Sequence, residues 1–372
     1  MKDADRSGPP GRKLPRWTVR RFGWALRLTC ATGLVRHSIL STLVLLAACV
    51  LLGSCSGQPE QPVHDSSLTP QQLAAALQLP PRSTQPVVGS VDGRTQRRDL
   101  ITEQLTLRVG EVSIPAVACY SELGYTQRLP AVLWMPGSPN LKEDLIPLDL
   151  LSTWADRGFF VLSIDRPFHG QRPGDREDQI RRRGLPAVYG DYVVDLIHAI
   201  DYLSHRAEID PQRLGMVGLS TGGLEALMVG ALDPRLKVIV SVSGHLVWPQ
   251  IFATQAWKAI FTGLPMADSM IAAGMSGEQA LAHLSDHMPG LPLIDAARIV
   301  PLLAPRPLLL LGGTLDPLVP AASFEATAMA ARESYASAGA PESVSMYLEP
   351  GRGHALSKRM QARALAWCER WL

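Results

Sequence analysis

The segment Gly218-Leu-Ser220-Thr-Gly222 carries the clearest chemical signal in this chain of 372 residues. Residues 213–217 before it form a short apolar run typical of a buried strand, and residues 223–231 after it favour a helix. A sharp turn between strand and helix requires small residues around the serine, and it exposes the serine hydroxyl at the positive end of the helix. The pattern therefore predicts a nucleophilic Ser220, with the N–H of Thr221 placed to bind an oxyanion. A serine that only caps the helix is the alternative.

Two later residues have the types and the order needed to activate such a serine. Asp316 follows the apolar run 307–312, at the end of a strand where a parallel sheet presents ligand-facing residues. His354 lies in a glycine-rich loop after a further strand candidate, and a histidine there can take the proton of Ser220 while the aspartate orients its ring. Alone, each could be an ordinary turn or loop residue. Together, the order serine, acid, histidine favours a catalytic triad.

Other segments resemble those of serine hydrolases with the α/β-hydrolase fold, in the dienelactone-hydrolase-like and prolyl-oligopeptidase-like branch. Residues 131–140 resemble the strand and oxyanion loop, residues 159–172 the next strand with its Asp…His-Gly loop, and residues 210–215 the approach to the nucleophile. The resemblance covers about residues 95–372 and is specific for the superfamily, not for a substrate.

The resemblance also implies the residues of a site. The catalytic triad would consist of Ser220, Asp316 and His354. The backbone N–H groups of Thr221 and Ser138 would bind the oxyanion. Pro136 stands where the family usually has a histidine, so this chain departs from the pattern in its oxyanion loop. The mechanism implied by the resemblance needs no metal and no organic cofactor.

The alternation of apolar runs predicts an α/β fold, with a mostly parallel eight-stranded sheet and helices on both faces. An antiparallel pair is expected to open the sheet; the predicted strands are 100–109, 112–119, 131–135, 159–164, 213–218, 237–242, 307–312 and 343–349. Between residues 244 and 300 the chain becomes helical and rich in aromatic residues and methionine. This segment is predicted to be a cap inserted over the active site, with most of its large side chains packed against the domain.

Four other residues have types that could do chemistry. His169 and Asp165 lie in one loop, but a structural role in that loop explains them, because His354 already stands in the expected order. His283 and His287 have the i, i+4 spacing of a zinc-binding pair but lack the glutamate that follows the first histidine in metalloproteases. We expect a surface pair there and no metal site.

Residues 1–55 have the composition of a secretory signal that ends in a bacterial lipoprotein box. Nine Lys and Arg precede Cys55, residues 39–52 are largely apolar, and Leu-Gly-Ser leads into Cys55. We expect Cys55 to be lipidated, which would hold an exported protein at a membrane facing the periplasm or the cell exterior. Processing at Cys49, an uncleaved signal anchor and a plain signal peptide remain alternatives.

Residues 56–84 are rich in Pro, Gln and Ser and are predicted to form a flexible tether, with a short helix over 69–79. The hydrolase domain is expected over residues 85–372. Its length suffices for one large domain with a single core.

The charge of the mature chain argues against a nucleic-acid partner. The whole chain has 36 Lys and Arg against 34 Asp and Glu, but residues 1–54 hold nine basic and two acidic residues, which leaves 27 against 32 and a net charge of −5. Only Cys119 and Cys368 follow Cys55, and spacing alone does not show whether they pair.

These observations predict a serine hydrolase that cleaves a small-molecule carboxylic ester through an acyl-enzyme. An exported serine peptidase, an acyltransferase and a non-catalytic binding lipoprotein on the same scaffold remain open, because a fold does not name a substrate. The peptidase alternative has little room for the N-terminal propeller that prolyl oligopeptidases carry. The oligomeric state is not predicted.

Overall fold

The computed structural model describes residues 68–372, which are built around a nine-stranded sheet. The strands are β1 (Val88–Arg97), β2 (Leu100–Val109), β3 (Val112–Ser121), β4 (Leu129–Met135), β5 (Phe160–Ile164), β6 (Ile209–Leu219), β7 (Leu236–Val242), β8 (Leu308–Gly313) and β9 (Val344–Glu349). They lie side by side in the order β1-β2-β3-β5-β4-β6-β7-β8-β9. The pairs β1–β2, β2–β3 and β3–β5 are antiparallel, and all other pairs are parallel. The carboxyl ends of the parallel strands therefore lie on the same side of the sheet.

The mostly parallel sheet and its antiparallel opening pair are confirmed, but the predicted number of eight strands is one too few. The additional strand is β1, which pairs with β2 at one edge of the sheet. None of its residues is buried, so it lacks the alternation of apolar and polar side chains that marks a half-buried strand. Its register with β2 shifts between Val91 and Gly93, a bulge of the kind often found at sheet edges.

Twelve α-helices accompany the sheet in the described part of the chain. They are α1 (Pro70–Ala76), α2 (Leu150–Ala155), α3 (Arg176–Arg183), α4 (Leu185–His205), α5 (Thr221–Leu232), α6 (Trp248–Ala253), α7 (Trp257–Ile260), α8 (Pro265–Ala272), α9 (Gly277–His287), α10 (Ala296–Ile299), α11 (Ala321–Ser337) and α12 (Lys358–Trp371). Short 3₁₀ turns occur between several of them.

Helices cover both faces of the sheet because the central strands are apolar on both sides. Along β4, Val132 belongs to the core layer with α2 and α12, and the next residue, Leu133, belongs to the layer with α4, α5 and α11. Successive strand residues point to opposite faces, so one apolar run fills both layers. Each fully buried side chain of this size contributes about 1.5–3 kcal/mol by leaving water.

The segment between β7 and β8 folds as helices α6 to α10, in agreement with its predicted helical character. Its aromatic side chains pack on one another: the rings of Phe252 and Trp257 stack at 5.5 Å, and those of Trp248 and Phe261 at 6.2 Å. Most of this set is therefore buried within the segment, as expected for residues that hold it together.

The N-terminal part of the described chain is packed on the domain. Helix α1 begins with a capping box between Thr69 and Gln72, and Leu73 and Leu77 are fully buried in the core. The chain approaches α4 so closely that a Cβ at Gly190 would lie 2.0 Å from the carbonyl oxygen of Leu77. Residues 68–79 lie within the segment predicted to be a flexible tether, but they contain helix α1 and pack on the domain.

The predicted signal segment, with Cys49 and Cys55, lies outside the described residues. Among the helices of residues 68–372, none combines the length and the apolar character needed to span a bilayer.

Candidate active site

Ser220 sits on a sharp turn between β6 and α5. Its backbone has φ +57° and ψ −119°, a strained conformation for a residue with a side chain. The turn is tight enough that a Cβ at Gly218 would lie 1.9 Å from the carbonyl oxygen of Gly222. A Cβ at Gly222 would in turn lie 2.4 Å from the carbonyl oxygen of Met135, at the end of β4. The two glycines of the motif are therefore required for the serine to be presented at the strand edge.

Asp316 lies in the turn after β8 and is almost fully buried. Its Oδ1 accepts hydrogen bonds from the N–H groups of Leu318 and Val319, each at 2.9 Å. Its Oδ2 lies 2.8 Å from Nδ1 of His354. Burial acts to raise the pKa of Asp316, but these hydrogen bonds favour the carboxylate and hold the pKa below its ordinary value. The group is therefore an ionised acceptor for the imidazole.

His354 lies in the loop after β9 and connects the other two residues. Its Nε2 is 2.8 Å from Oγ of Ser220, while its Nδ1 faces Asp316. The loop is held at the edge of the sheet by a 2.8 Å hydrogen bond from the N–H of Leu315 to the carbonyl oxygen of Arg352. The three side chains selected in the sequence thus form one continuous hydrogen-bonded chain, with the geometry of a nucleophile, a base and an orienting acid.

The two residues predicted to supply oxyanion N–H groups, Thr221 and Ser138, both line the cavity that contains Ser220. Thr221 is the first residue of α5, so its N–H has no partner within the helix. Ser138 follows β4, and a Cβ at its neighbour Gly137 would lie 2.9 Å from the Cβ of Ser220, so the glycine lets this loop come against the nucleophile. The role of Thr221 and Ser138 as N–H donors stays a prediction.

Sequence reasoning missed a contact that braces the Ser138 loop. Oγ of Ser138 lies 3.0 Å from Nε2 of His169, whose Nδ1 lies 2.9 Å from the carbonyl oxygen of Pro167. Because a carbonyl oxygen only accepts, Nδ1 carries the proton and the Ser138 hydroxyl donates to Nε2. Burial lowers the pKa of His169, and the nearby guanidinium of Arg166 lowers it further. His169 is thus a neutral structural acceptor, neither a base for Ser220 nor a ligand.

A buried ion pair supports the same loop. Arg166 and Glu225 are at most 2% exposed, and the guanidinium contacts both carboxylate oxygens. The same guanidinium donates to the carbonyl oxygen of Pro136, the residue that replaces the usual histidine. Burial raises the pKa of Glu225 despite the attraction of Arg166. Asp165, expected to be structural, is also buried and accepts a 2.7 Å hydrogen bond from Lys142.

A cavity of about 210 Å³ opens at the serine. Its lining comes from the triad, the oxyanion loop, the segment α3–α4 and the insertion before β8, and consists of Ser138, Arg176, Leu185, Tyr189, Ser220, Thr221, Ser243, Leu246, Trp248, Ala259, Ile260, Phe261, Leu318, Val319 and His354. Trp248 and Phe261 are the members of the aromatic set that reach it, whereas the methionines of the insertion do not line it.

The remaining candidates lie apart from this site. Cys119 and Cys368 are buried free thiols, and burial raises the pKa of both. The ring centroids of His283 and His287 are 4.2 Å apart with the planes tilted by 39°, and Nδ1 of His287 is 2.7 Å from the carbonyl oxygen of His283. Within residues 68–372 no group of three or more histidine, cysteine or acidic side chains could hold a metal ion.

Comparison with known proteins finds similarity to hydrolases and to the fold of esterases. Residues 191–339 match the profile of a family described as glucuronyl esterase of fungi, a stretch that includes Ser220 and Asp316 and ends before His354. YtaP of Bacillus subtilis is 28% identical over 220 residues, which are 58% of this chain and 66% of YtaP. The alignments with the next two curated relatives span 34% and 29% of their length, so the chain matches between about a third and two thirds of these proteins.

Solved structures share the fold across most of the chain. A glucuronoyl esterase from Solibacter usitatus aligns with a TM-score of 0.60 at 14% identity, covering 81% of this chain and 91% of that one. An acetyl xylan esterase from Paenibacillus sp. R4 aligns with a TM-score of 0.57 at 18% identity, covering 82% and 93%. At these identities the likeness concerns the fold, and it confirms the predicted α/β-hydrolase fold class with nine strands in place of eight.

Proposed function

We propose that this chain is a serine hydrolase that cleaves a carboxylic ester through a covalent acyl-enzyme. The observation that carries the proposal is the hydrogen-bonded chain from Ser220 through His354 to Asp316 at the mouth of a cavity. A buried carboxylate, an oriented imidazole and a hydroxyl that faces a cavity from a strained turn are the parts that this chemistry requires.

The first step forms the acyl-enzyme. Oγ of Ser220 attacks the ester carbonyl while Nε2 of His354 takes the hydroxyl proton, and Asp316 stabilises the imidazolium. The tetrahedral oxyanion accepts hydrogen bonds from the N–H groups of Thr221 and Ser138. Its collapse breaks the bond to the alcohol, which leaves with the proton from His354. Water then repeats the sequence on the acyl-enzyme and releases the carboxylic acid.

The comparisons support esters over the other classes of substrate. The matched family and the two aligned structures carry the names of esterases, and this chain shares their fold over four fifths of its length. No feature of the described residues favours the peptidase, the acyltransferase or the non-catalytic binding protein over an esterase. The complete hydrogen-bonded triad argues against a purely binding role.

The cavity supports a substrate of small or medium size. Its volume of about 210 Å³ lies below the 300–1,000 Å³ typical of pockets for drug-sized ligands. Its walls at Leu246, Trp248 and Phe261 are apolar and suit the hydrocarbon part of an acyl group or an alcohol. Since these three residues come from the insertion before β8, that segment acts as a cap in this proposal.

A fluorophosphonate probe tests the proposal on the full-length protein. Wild type is expected to be labelled and to hydrolyse 4-nitrophenyl butyrate, whereas Ser220→Ala is expected to do neither while it keeps its circular dichroism spectrum. Ser204→Ala, on the far end of α4, is the matched control and is expected to label normally. Labelling that persists in Ser220→Ala, or its absence from folded wild type, would refute the assignment.

Export and lipid anchoring belong to the same proposal and rest on the sequence of residues 1–55. Lipidation of Cys55 would leave the domain tethered outside the cytoplasm, where it meets exogenous esters. In a bacterial host fed with an alkyne fatty acid, the chain is expected to incorporate label and to lose it in Cys55→Ser. Loss in Cys49→Ser instead would assign the processing site to Cys49.

A further inference from the structure

Arg176 is a cation without an acidic partner inside the cavity. It is the first residue of α3 and lines the cavity together with Ser220 and His354. Its Nε donates a 3.2 Å hydrogen bond to the hydroxyl of Tyr192. Within residues 68–372 no carboxylate forms an ion pair with it, and its two terminal nitrogens have no hydrogen-bond partner.

The neighbouring arginines show how unusual this is. Those that surround the same loops are all paired with carboxylates: Arg166 with Glu225, Arg172 with Asp195, and Arg183 with Asp191. Glu225 lies close enough to feel the charge of Arg176, but both of its oxygens are already bound by Arg166. The surrounding guanidinium groups are thus neutralised by carboxylates, whereas the terminal nitrogens of Arg176, at the cavity, are not.

Tyr189 adds a neutral hydrogen-bond donor to the same wall. Its side chain is buried, lines the cavity, and packs edge-on against Tyr192 at 5.7 Å. Its hydroxyl makes no hydrogen bond with any other described residue. Burial raises the pKa of Tyr189 to about 12, so the hydroxyl keeps its proton at neutral pH.

We propose that Arg176, assisted by the hydroxyl of Tyr189, is a specificity-determining residue that binds a carboxylate carried by the substrate in addition to its ester group. The inference rests on the proposed ester hydrolysis and narrows its substrate to an anionic ester. Aspartate and glutamate are absent from the residues that line the cavity, so an anion entering it meets the charge of Arg176 and no carboxylate in the wall.

The chemistry favours a carboxylate over a phosphate. The free end of the guanidinium offers two parallel N–H groups, which match the two oxygens of a carboxylate. A phosphate monoester carries up to two charges, and the cavity has a single permanent cation to balance them. One planar anion of one charge is the group that these contacts satisfy.

Two matched pairs of esters test the inference on the full-length protein. The first pair is 4-nitrophenyl hydrogen succinate and its neutral methyl ester, with the charge on the acyl side. The second is 4-carboxyphenyl butyrate and its methyl ester, with the charge on the alcohol side. For each ester, kcat/KM of the wild type is divided by kcat/KM of the variant. This ratio cancels the intrinsic reactivity of the leaving group.

In Arg176→Gln, kcat/KM for the anionic member of at least one pair is expected to fall about 10- to 100-fold, mainly through KM, while both neutral esters change less than about twofold. Arg176→Lys keeps the positive charge but lacks the two parallel N–H groups. Its kcat/KM for the anionic ester is expected to lie between those of wild type and Arg176→Gln. Arg181→Gln, on the exposed face of the same helix, is the matched control and is expected to behave as wild type.

Three outcomes would count against the proposed carboxylate subsite. They also distinguish its failure from a failure of the proposed esterase function on which it rests. Equal losses on charged and neutral esters in Arg176→Gln would overturn the carboxylate subsite and leave the esterase intact. A wild type that reacts with the fluorophosphonate but cleaves neither anionic ester would do the same. A folded wild type that neither reacts with the probe nor cleaves any of the four esters would overturn both.

Discussion

The hydroxyl of Ser138 donates a 3.0 Å hydrogen bond to Nε2 of His169, which joins the loop after β4 to the loop after β5 beside the nucleophile. The bond needs a neutral imidazole, because a protonated ring has no acceptor to offer. The backbone N–H of Ser138 is one of the two proposed oxyanion donors, and we expect this contact to hold it in position. We therefore propose that His169 is a positioning residue that acts through Ser138.

Replacing His169 should reduce catalysis more than substrate binding. In His169→Phe the loop loses one hydrogen bond worth about 1 kcal/mol, so kcat for 4-nitrophenyl butyrate should fall about fivefold with KM within twofold. His169→Gln, which can still accept from Ser138, should recover most of the loss. His287→Ala, exposed at the end of α9, serves as control. An unchanged kcat in His169→Phe would show that the contact does not position the donor.

The ion pair of Arg166 and Glu225 should separate stability from activity. Glu225→Leu leaves a buried guanidinium without its carboxylate and should lower the free energy of unfolding by about 3–5 kcal/mol. The double variant Arg166→Met, Glu225→Leu should recover most of this, since neither charge is then left alone. Its kcat should stay low, because the carbonyl oxygen of Pro136 has lost the donor that fixes the oxyanion loop. Urea unfolding and ester hydrolysis measure the two effects, and full recovery of kcat would contradict this role.

Asp295 should make the protein less stable as the pH rises from about 4 to 6. Burial raises the pKa of Asp295 to about 6, although its carboxylate accepts hydrogen bonds from the N–H groups of Trp248 and Ala297. Between its ordinary pKa and this value the folded state binds more protons than the unfolded state, so stability is full below pH 4 and falls as the pH rises through 6. The slope from this group is at most about 1.4 kcal/mol per pH unit.

Asp295→Asn should remove that share of the pH dependence, because the amide does not titrate yet can still accept at the start of α10. The exposed Asp286→Asn is the control. Thermal unfolding measured every half pH unit from 3.5 to 7 gives the comparison. Parallel stability curves for wild type and Asp295→Asn would exclude a raised pKa at this position.

Helix α1 should contribute to the stability of the domain. Leu73 is fully buried in the main core, so Leu73→Ala should lower the free energy of unfolding by about 2–5 kcal/mol. Gln71→Ala, on the exposed side of the same helix, should stay within about 0.5 kcal/mol of wild type. If both variants unfold at the same urea concentration as wild type, α1 is not part of the cooperative unit.

Those parts of the fold that depend on short-range pattern could be predicted from the sequence. The strand–turn–helix around Ser220 is specified within about 20 residues, and the strand that precedes Asp316 is a continuous apolar run. By contrast, β1 has no buried side chain and therefore no periodicity, so the sheet was predicted one strand short. Helix α1 was expected as a helix, but the Pro- and Gln-rich residues around it suggested a tether, and only tertiary contacts show that Leu73 is covered.

The supporting residues of the site could not be read from the sequence for a different reason. The contacts between Ser138 and His169 and between Arg166 and Glu225 join residues 31 and 59 positions apart, and each side chain has an ordinary local context. The importance of Arg176 lies in a missing acidic partner, which becomes visible only when its neighbours are placed. A departure in the sequence, Pro136 in place of the usual histidine, was the one signal that pointed to this region.

The backbone of Ser220 limits which other nucleophiles the same frame could carry. At φ +57° and ψ −119° a glycine would be relaxed, whereas a β-branched side chain would crowd the turn. Cysteine has the shape of serine and could enter with the backbone unchanged, so a change from oxygen to sulfur chemistry is one substitution away. Threonine is chemically closer to serine, but its branched Cβ would crowd this turn. The backbone geometry therefore excludes threonine on steric grounds, whatever its reactivity.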